Sequence, residues 1–189
     1  MAVVAARRDQ TGDAGVELFV PRESADTVWA SLLAAPDVRP AGWFAYNTAR
    51  IEAGTPLFNI DFGPTNLPHE TGVLRDRVSF IKGCYLGQEI VARMESLGRP
   101  KQCLVGLRPA EDLLPVAGGQ VFAPEDGGMG EQVGWITSST VSPMLGAVPI
   151  AFGLVKSARA EPGTELVVNA EGAQTKATVC SLAFWSKGS

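Results

Sequence analysis

An α+β fold is predicted for this 189-residue chain on two observations. Between Ser24 and Leu97, three stretches repeat apolar residues at the spacing of amphipathic helices. After residue 100 the texture changes to short apolar or alternating runs at 103–107, 120–122, 132–137, 150–155, 165–168 and 177–181, with Gly, Pro or Asp in the gaps. That pattern, without a helical period, predicts a small antiparallel barrel or sandwich. The boundary falls at Arg99-Pro100-Lys101, dividing the chain into an α+β unit over 1–99 and a β unit over 100–189.

Taken in order, residues 15–20 alternate before Pro21 and predict a strand. Ser24 caps a predicted helix whose apolar face is Ala25, Val28, Trp29, Leu32 and Leu33, ending before Pro36. A second helix begins near Pro40-Ala41, since proline is tolerated in a first turn, and runs through Trp43, Phe44 and Tyr46 toward Arg50. Ile51-Glu52-Ala53 leaves it, punctuated by Gly54 and Pro56. Residues 55–72 are rich in Pro, Gly and Asn and predict a loop. Val78, Phe80 and Ile81 predict a strand that turns through 82–89 into a helix over 88–97, which Gly98 and Pro100 stop. The first ~95 residues thus hold too few strands for a sheet of ordinary size. Either this half borrows strands from a partner or an upstream region completes it.

Composition narrows the class. With 46% hydrophobic residues the chain can build a core. Three cysteines, Cys84, Cys103 and Cys180, form no CxxC pair and no even set, which argues against a disulfide framework and a self-contained metal site. The longest apolar run, 141–155, is broken by Pro143, Gly146, Pro149 and Gly153, and residues 1–8 lack a leader pattern. A cytoplasmic protein without a membrane span is expected. Net charge is −4, yet residues 75–108 carry 7 basic and 3 acidic groups. A local positive field in an acidic chain suits a small anionic ligand, and direct nucleic-acid binding is not expected.

The positive segment contains Lys82-Gly83-Cys84-Tyr85-Leu86-Gly87-Gln88-Glu89. Its two glycines open backbone conformations closed to other residues. A cation at Lys82 and a following helix N-terminus both favour the Cys84 thiolate. Lys82 can hold an anion, and Tyr85 can stack on a flat ring. Gln88 and Glu89 occupy the first helical turn, where Glu89 suits the dipole with no ligand at all. The plainer alternatives are a buried inert thiol, a packed tyrosine and a solvated face with a Glu89–Arg93 pair. A second patch is Tyr46-Asn47-x-x-Arg50-Ile51-Glu52. There an aromatic can stack on an amino-pyrimidinone ring and a carboxylate can accept its N–H donors. A helix end with an ordinary ion pair is the plainer alternative. His69 reads as a solvated loop histidine, 138–140 as a polar turn between strands, and Trp135 and Trp185 as barrel packing.

Residues 82–89 resemble the signature K-G-C-[FY]-x-G-Q-E of the YgfZ family, folate-binding relatives of the glycine-cleavage T-protein. Arg50-Ile51-Glu52-Ala53-Gly54-x-Pro56, Leu67-Pro68-x-Glu70, Ile90-Val91-Ala92-Arg93, Gly134-Trp135-x-x-Ser138 and Ser142-Pro143 extend the resemblance over 15–186. It implies a T-protein-like folate-binding α+β domain, incomplete at its N-terminus, followed by a small antiparallel β-barrel. The implied cofactor is tetrahydrofolate or a one-carbon derivative. The implied role is support of the assembly or repair of 4Fe–4S enzymes, including tRNA-modifying ones, with no firmly established turnover of its own. Implied partners are iron–sulfur client or assembly proteins, and an N-terminal portion supplied as a separate chain. By position, Tyr46, Glu52, Tyr85, Gln88, Glu89 and Arg93 would face the cofactor, with Cys84 as functional thiol beside Lys82. The alternative on the same fold is an aminomethyltransferase of the glycine-cleavage type using tetrahydrofolate.

Overall fold

A computed structural model describes residues 3–125 and 128–186; the outer ends of both predicted units (1, 2 and 187–189) lie outside the described residues. The chain opens with an antiparallel ribbon of β1 (Val4–Arg7) and β2 (Val16–Phe19), in which Val4 faces Phe19 and Arg7 faces Val16. The predicted first helix is α1 (Ala25–Leu33). Ser24 precedes it but makes no side-chain cap, because a 3-10 turn (Arg22–Ser24) runs straight into the helix and holds Ser24 in helical backbone geometry.

The second helix, α2 (Trp43–Glu52), is preceded by Gly42 as its N-cap instead of starting near Pro40-Ala41, and continues through Ile51 and Glu52, which were expected to leave it. The barrel accounts for the extension. Ile51 is fully buried with Phe152 and Phe184, and the Glu52 carbonyl accepts the backbone N–H groups of Phe184 and Trp185, each at 3.0 Å. A carbonyl left orphaned by the helix end thereby finds two donors. Gly54 then turns the chain at φ +79°, and a Cβ there would stand 2.5 Å from the Ala183 nitrogen.

Two short helices follow, α3 (Leu74–Arg77) and α4 (Gln88–Leu97). The strand expected at Val78, Phe80 and Ile81 does not form, since no neighbouring strand takes its backbone groups; 78–87 is irregular, with Phe80 and Ile81 exposed. Helix α4 covers the predicted span and ends at Gly98.

The six runs after residue 100 fall in strands, the last running one residue past its strand at Ser181: β3 (Gln102–Pro109), β4 (Gln120–Glu125), β5 (Gly128–Ser142), β6 (Val148–Lys156), β7 (Glu165–Ala170) and β8 (Ala173–Cys180). They close an antiparallel barrel in the order β3-β6-β5-β4-β7-β8. The polar turn expected at 138–140 is instead the inner part of β5, opposite Phe152, Ala151 and Ile150 of β6. Strand β6 reads as a nearly unbroken apolar run because both of its faces are covered. Ala151 and Val155 enter the barrel interior with Leu107, Val121, Ile136, Leu166 and Val179, while Ile150, Phe152 and Leu154 face α2 and the chain's end. Trp135, expected inside, projects outward from β5.

Gly54→Ala should destabilise the fold by more than ~1 kcal/mol, because it adds both a left-handed strain and a backbone clash. Urea unfolding checks this, with Gly83→Ala, whose site is open, as the comparison expected to stay within about 0.5 kcal/mol.

Candidate functional site

Helix α2 meets the barrel through polar side chains that hydrophobic periodicity does not reveal. Arg50 and Asp61 form an ion pair in which both side chains are 0% exposed. Arg50 also donates from Nε and Nη2 to Asn47 Oδ1 at 2.9 and 2.8 Å, from Nη2 to Ser138 Oγ at 2.6 Å, and from Nη1 to the Thr55 carbonyl at 3.3 Å. All five guanidinium donors are therefore used. Asp61 takes the Leu57 N–H at 2.9 Å on Oδ2, and the hydroxyls of Thr137 and Ser138 at 2.8 and 2.6 Å on Oδ1. The guanidinium also lies 5.5 Å from the Phe152 ring centre. One helix, one loop and strand β5 are thus held by a single satisfied network.

Glu52 sits beside it. Its Oε1 accepts the Ser142 hydroxyl at 2.5 Å and the Met144 N–H at 3.1 Å, clamping the start of the 3-10 turn Pro143–Leu145. Both bonds fall on one oxygen. Among the described residues no hydrogen bond falls on Oε2, although Glu52 is buried. Tyr46, half-buried on the same helix, pairs its hydroxyl with the Gln10 side-chain amide and sets its ring 5.6 Å from that of Trp43. Thr48 and Thr140 hydroxyls, 2.8 Å apart, make a further bond between α2 and β5.

The turn at 82–89 is built differently from the expectation. Gly87 alone uses a left-handed conformation, φ +87°, at the cap of α4. Gln88 Oε1 accepts the Tyr85 N–H at 3.2 Å, and the Gln88 N–H donates to the Tyr85 carbonyl at 3.3 Å. This reciprocal pair explains Gln88 without a ligand. Lys82 Nζ stands 4.6 Å over the Tyr85 ring. Together with Ser79, Phe80, Glu89 and Ala92, these residues line a cavity of about 200 Å³. Arg93 lies on another side of α4, lining a cleft of about 420 Å³ with Ile90, Met94 and Gly98. The Glu89–Arg93 ion pair does not form. Cys84 is exposed, not buried. Among the described residues, no hydrogen bond, ion pair or ring contact joins this turn to α2.

His69 was expected in solvent, yet its side chain is 7% exposed beneath α4. Its Nε2 lies 3.3 Å from Glu95 Oε2, and Glu95 also holds Arg75 at 2.5 Å. Neither histidine nitrogen makes a hydrogen bond. Sequence reasoning gives no binding role to Asp61 or Gln10, and reads Ser138 and Ser142 only as part of a polar turn and of the family resemblance. Ser138, Ser142 and Gln10 lie 36 to 90 residues from the α2 residue each binds, and Asp61 lies 11 residues from Arg50 across an irregular loop, so local spacing carries no signal for them.

Comparison with known proteins places this geometry. Residues 1–79 match the GCVT N-terminal domain and residues 102–185 the glycine cleavage T-protein C-terminal barrel domain. The turn at 82–89 falls between the two matched spans. The chain is 34% identical over 184 residues to the aminomethyltransferase of Moorella thermoacetica, covering 96% of this chain and 48% of that protein. It is 35% identical over 189 residues to the aminomethyltransferase of Streptomyces coelicolor, covering 96% and 49%. The crystal structure of glycine cleavage system aminomethyltransferase T from Bartonella henselae superposes with a TM-score of 0.82 at 28% identity, over 97% of this chain and 50% of that one. The chain spans about half the length of the relatives it matches. Among the described residues no helix is long and apolar enough to cross a membrane.

Replacing Asp61 by Asn leaves Arg50 buried without its counter-charge and should cost about 3–5 kcal/mol in urea unfolding. The double variant Arg50→Met/Asp61→Leu should cost clearly less than the sum of its two single variants. Iodoacetamide should alkylate Cys84 well before Cys180, whose thiol burial holds above its usual range and therefore keeps protonated at neutral pH. Peptide mass mapping against time reads the two rates, and equal rates would contradict the exposure difference.

Proposed function

Starting from a chain with the T-protein fold and both T-protein domain types, we propose that the protein binds a reduced folate and serves one-carbon chemistry. Aminomethyl transfer of the glycine-cleavage kind is the activity that the comparisons support best. The observation that carries this is the correspondence of nearly the whole chain, helix α2 and barrel together, to an aminomethyltransferase. The residues present fit a folate. Among the described residues, no hydrogen bond falls on one Glu52 carboxylate oxygen, which suits an amino-pyrimidinone N–H, and Tyr46 offers a half-buried ring on the same helix. Bound folate would carry the one-carbon unit; the protein's part is to orient it. Glu52 is tied to Ser142 and Met144, so its position is fixed before a ligand arrives. Tyr85, Gln88, Glu89 and Arg93, on and beside the α4 turn, are proposed as further cofactor-facing groups, with Lys82 beside the Cys84 thiol.

A second reading rests on one observation, the exposed Cys84 in a turn outside both matched domain spans. It is YgfZ-like support of iron–sulfur enzymes, with Cys84 as the functional thiol and iron–sulfur clients or assembly proteins as partners.

Tetrahydrofolate titration followed by calorimetry should give saturable binding that Glu52→Gln weakens about tenfold or more, a loss of ~1.4 kcal/mol. Absence of binding, alone and with the remaining half of a T-protein supplied, would sink the folate proposal. Glycine-dependent methylene-tetrahydrofolate formation with the other glycine-cleavage proteins favours aminomethyl transfer. In cells lacking a YgfZ-type protein, rescue of a 4Fe–4S enzyme by Cys103→Ala but not by Cys84→Ala favours the second reading.

A further inference from the structure

His69 occupies a place that its neutral ring leaves unsatisfied. It sits in the 3-10 turn Pro68–Glu70 with its side chain 7% exposed, and neither Nδ1 nor Nε2 makes a hydrogen bond. Burying a polar group without a partner is costly, so such a ring calls for a physical reason. The surroundings supply one. On one side the turn is pinned to the barrel, since Glu70 Oε2 accepts Asn66 Nδ2 at 2.9 Å and Gln102 Nε2, from the start of β3, at 3.2 Å. On the other side His69 Nε2 faces Glu95 Oε2 of α4 at 3.3 Å. A neutral ring gains little there: it presents either a lone pair to the carboxylate or an N–H that makes no hydrogen bond with it. A charged ring gains a counter-ion where little water intervenes.

Each element packed on the turn contributes to the charges that face this ring. Helix α4 brings Glu95, and α3 brings Arg75, whose guanidinium holds Glu95 Oε1 at 2.5 Å and leaves Oε2 to His69. The side chain of Arg75 is 74% exposed, so solvent screens its repulsion of a protonated ring. The turn itself carries Glu70, already engaged, and β3 meets the turn through the uncharged Gln102. We propose that His69 is a proton-controlled latch between the 68–70 turn and helix α4. Protonation ties Nε2 to Glu95 and tightens the docking of α4; deprotonation loosens it. The sign follows from linkage. A proton bound more tightly when α4 is docked makes docking tighter at low pH, and that gain is lost as pH rises through the histidine range of about pH 5 to 8. Because α4 carries the 82–89 turn at its N-terminus, the latch sets how firmly Lys82, Cys84 and Tyr85 are held. It requires neither a bound folate nor a reactive thiol.

Amide hydrogen exchange of the 189-residue chain at about pH 5.5 and about pH 7.5, expressed as protection factors to remove the intrinsic pH dependence, tests the latch. Amides of 92–95 should be at least about threefold better protected at the lower pH, relative to those of β6 in the barrel. Glu95→Gln should abolish this pH dependence. Arg75→Gln, which leaves Glu95 to His69 alone, should keep or enlarge it. Equal relative protection at the two pH values overturns the proposal. Stronger protection at the higher pH also overturns it, because desolvation would then be expelling the charged ring from its site. Persistence of the pH dependence in Glu95→Gln, or its loss in Arg75→Gln, overturns it by placing the responsible pair elsewhere.

Discussion

The buried Arg50–Asp61 pair is the contact on which the helix–barrel arrangement depends. Two full charges leave water there, a cost of several kcal/mol for each ion that only near-complete hydrogen bonding offsets. The network meets that condition: five guanidinium donors and both carboxylate oxygens are engaged, by groups from α2, from the loop at 55–61 and from β5. Such a pair adds little net stability over an apolar core of the same volume. Its effect is geometric, since a rotated or translated α2 would strand a charge. The helix is thereby held at one position against β5 and β6, with Ile51 and Phe152 filling the apolar space next to it.

That restraint extends to the candidate cofactor residues. Glu52 is two residues from Arg50 and is clamped independently by Ser142 and the Met144 N–H. One carboxylate oxygen serves the barrel, and among the described residues no hydrogen bond falls on the other. Tyr46 lies farther up the helix and is tied through Gln10 to the loop that joins β1 and β2. Helix α2 therefore links a well-buried barrel to a poorly buried ribbon, and the ribbon's apolar surface is the counterpart of the barrel's completeness.

The turn before α4 illustrates how one motif carries both backbone and chemical requirements. Gly87 is needed for its left-handed conformation, and Gln88 for its exchange of hydrogen bonds with Tyr85. Neither requirement involves Cys84 or Lys82, which stand exposed with the Lys82 ammonium over the Tyr85 ring.

The sequence by itself determined the elements whose signals are local. The six barrel runs, α1, the full extent of α4 and the strand β2 follow from periodicity and from Gly and Pro punctuation. The shortage of strands before residue 100 was equally legible from counting. Tertiary structure decided what depends on partners distant in the chain. It extended α2 through Glu52 because Phe184 and Trp185 supply donors there, and it left 78–81 irregular because no strand adjoins it. It placed 138–140 inside β5 to meet Arg50 and Asp61, and it buried His69 beneath α4. A polar side chain carries no periodicity that announces its partner, so a network joining residues 47, 50, 61 and 138 becomes visible only once the chain has folded.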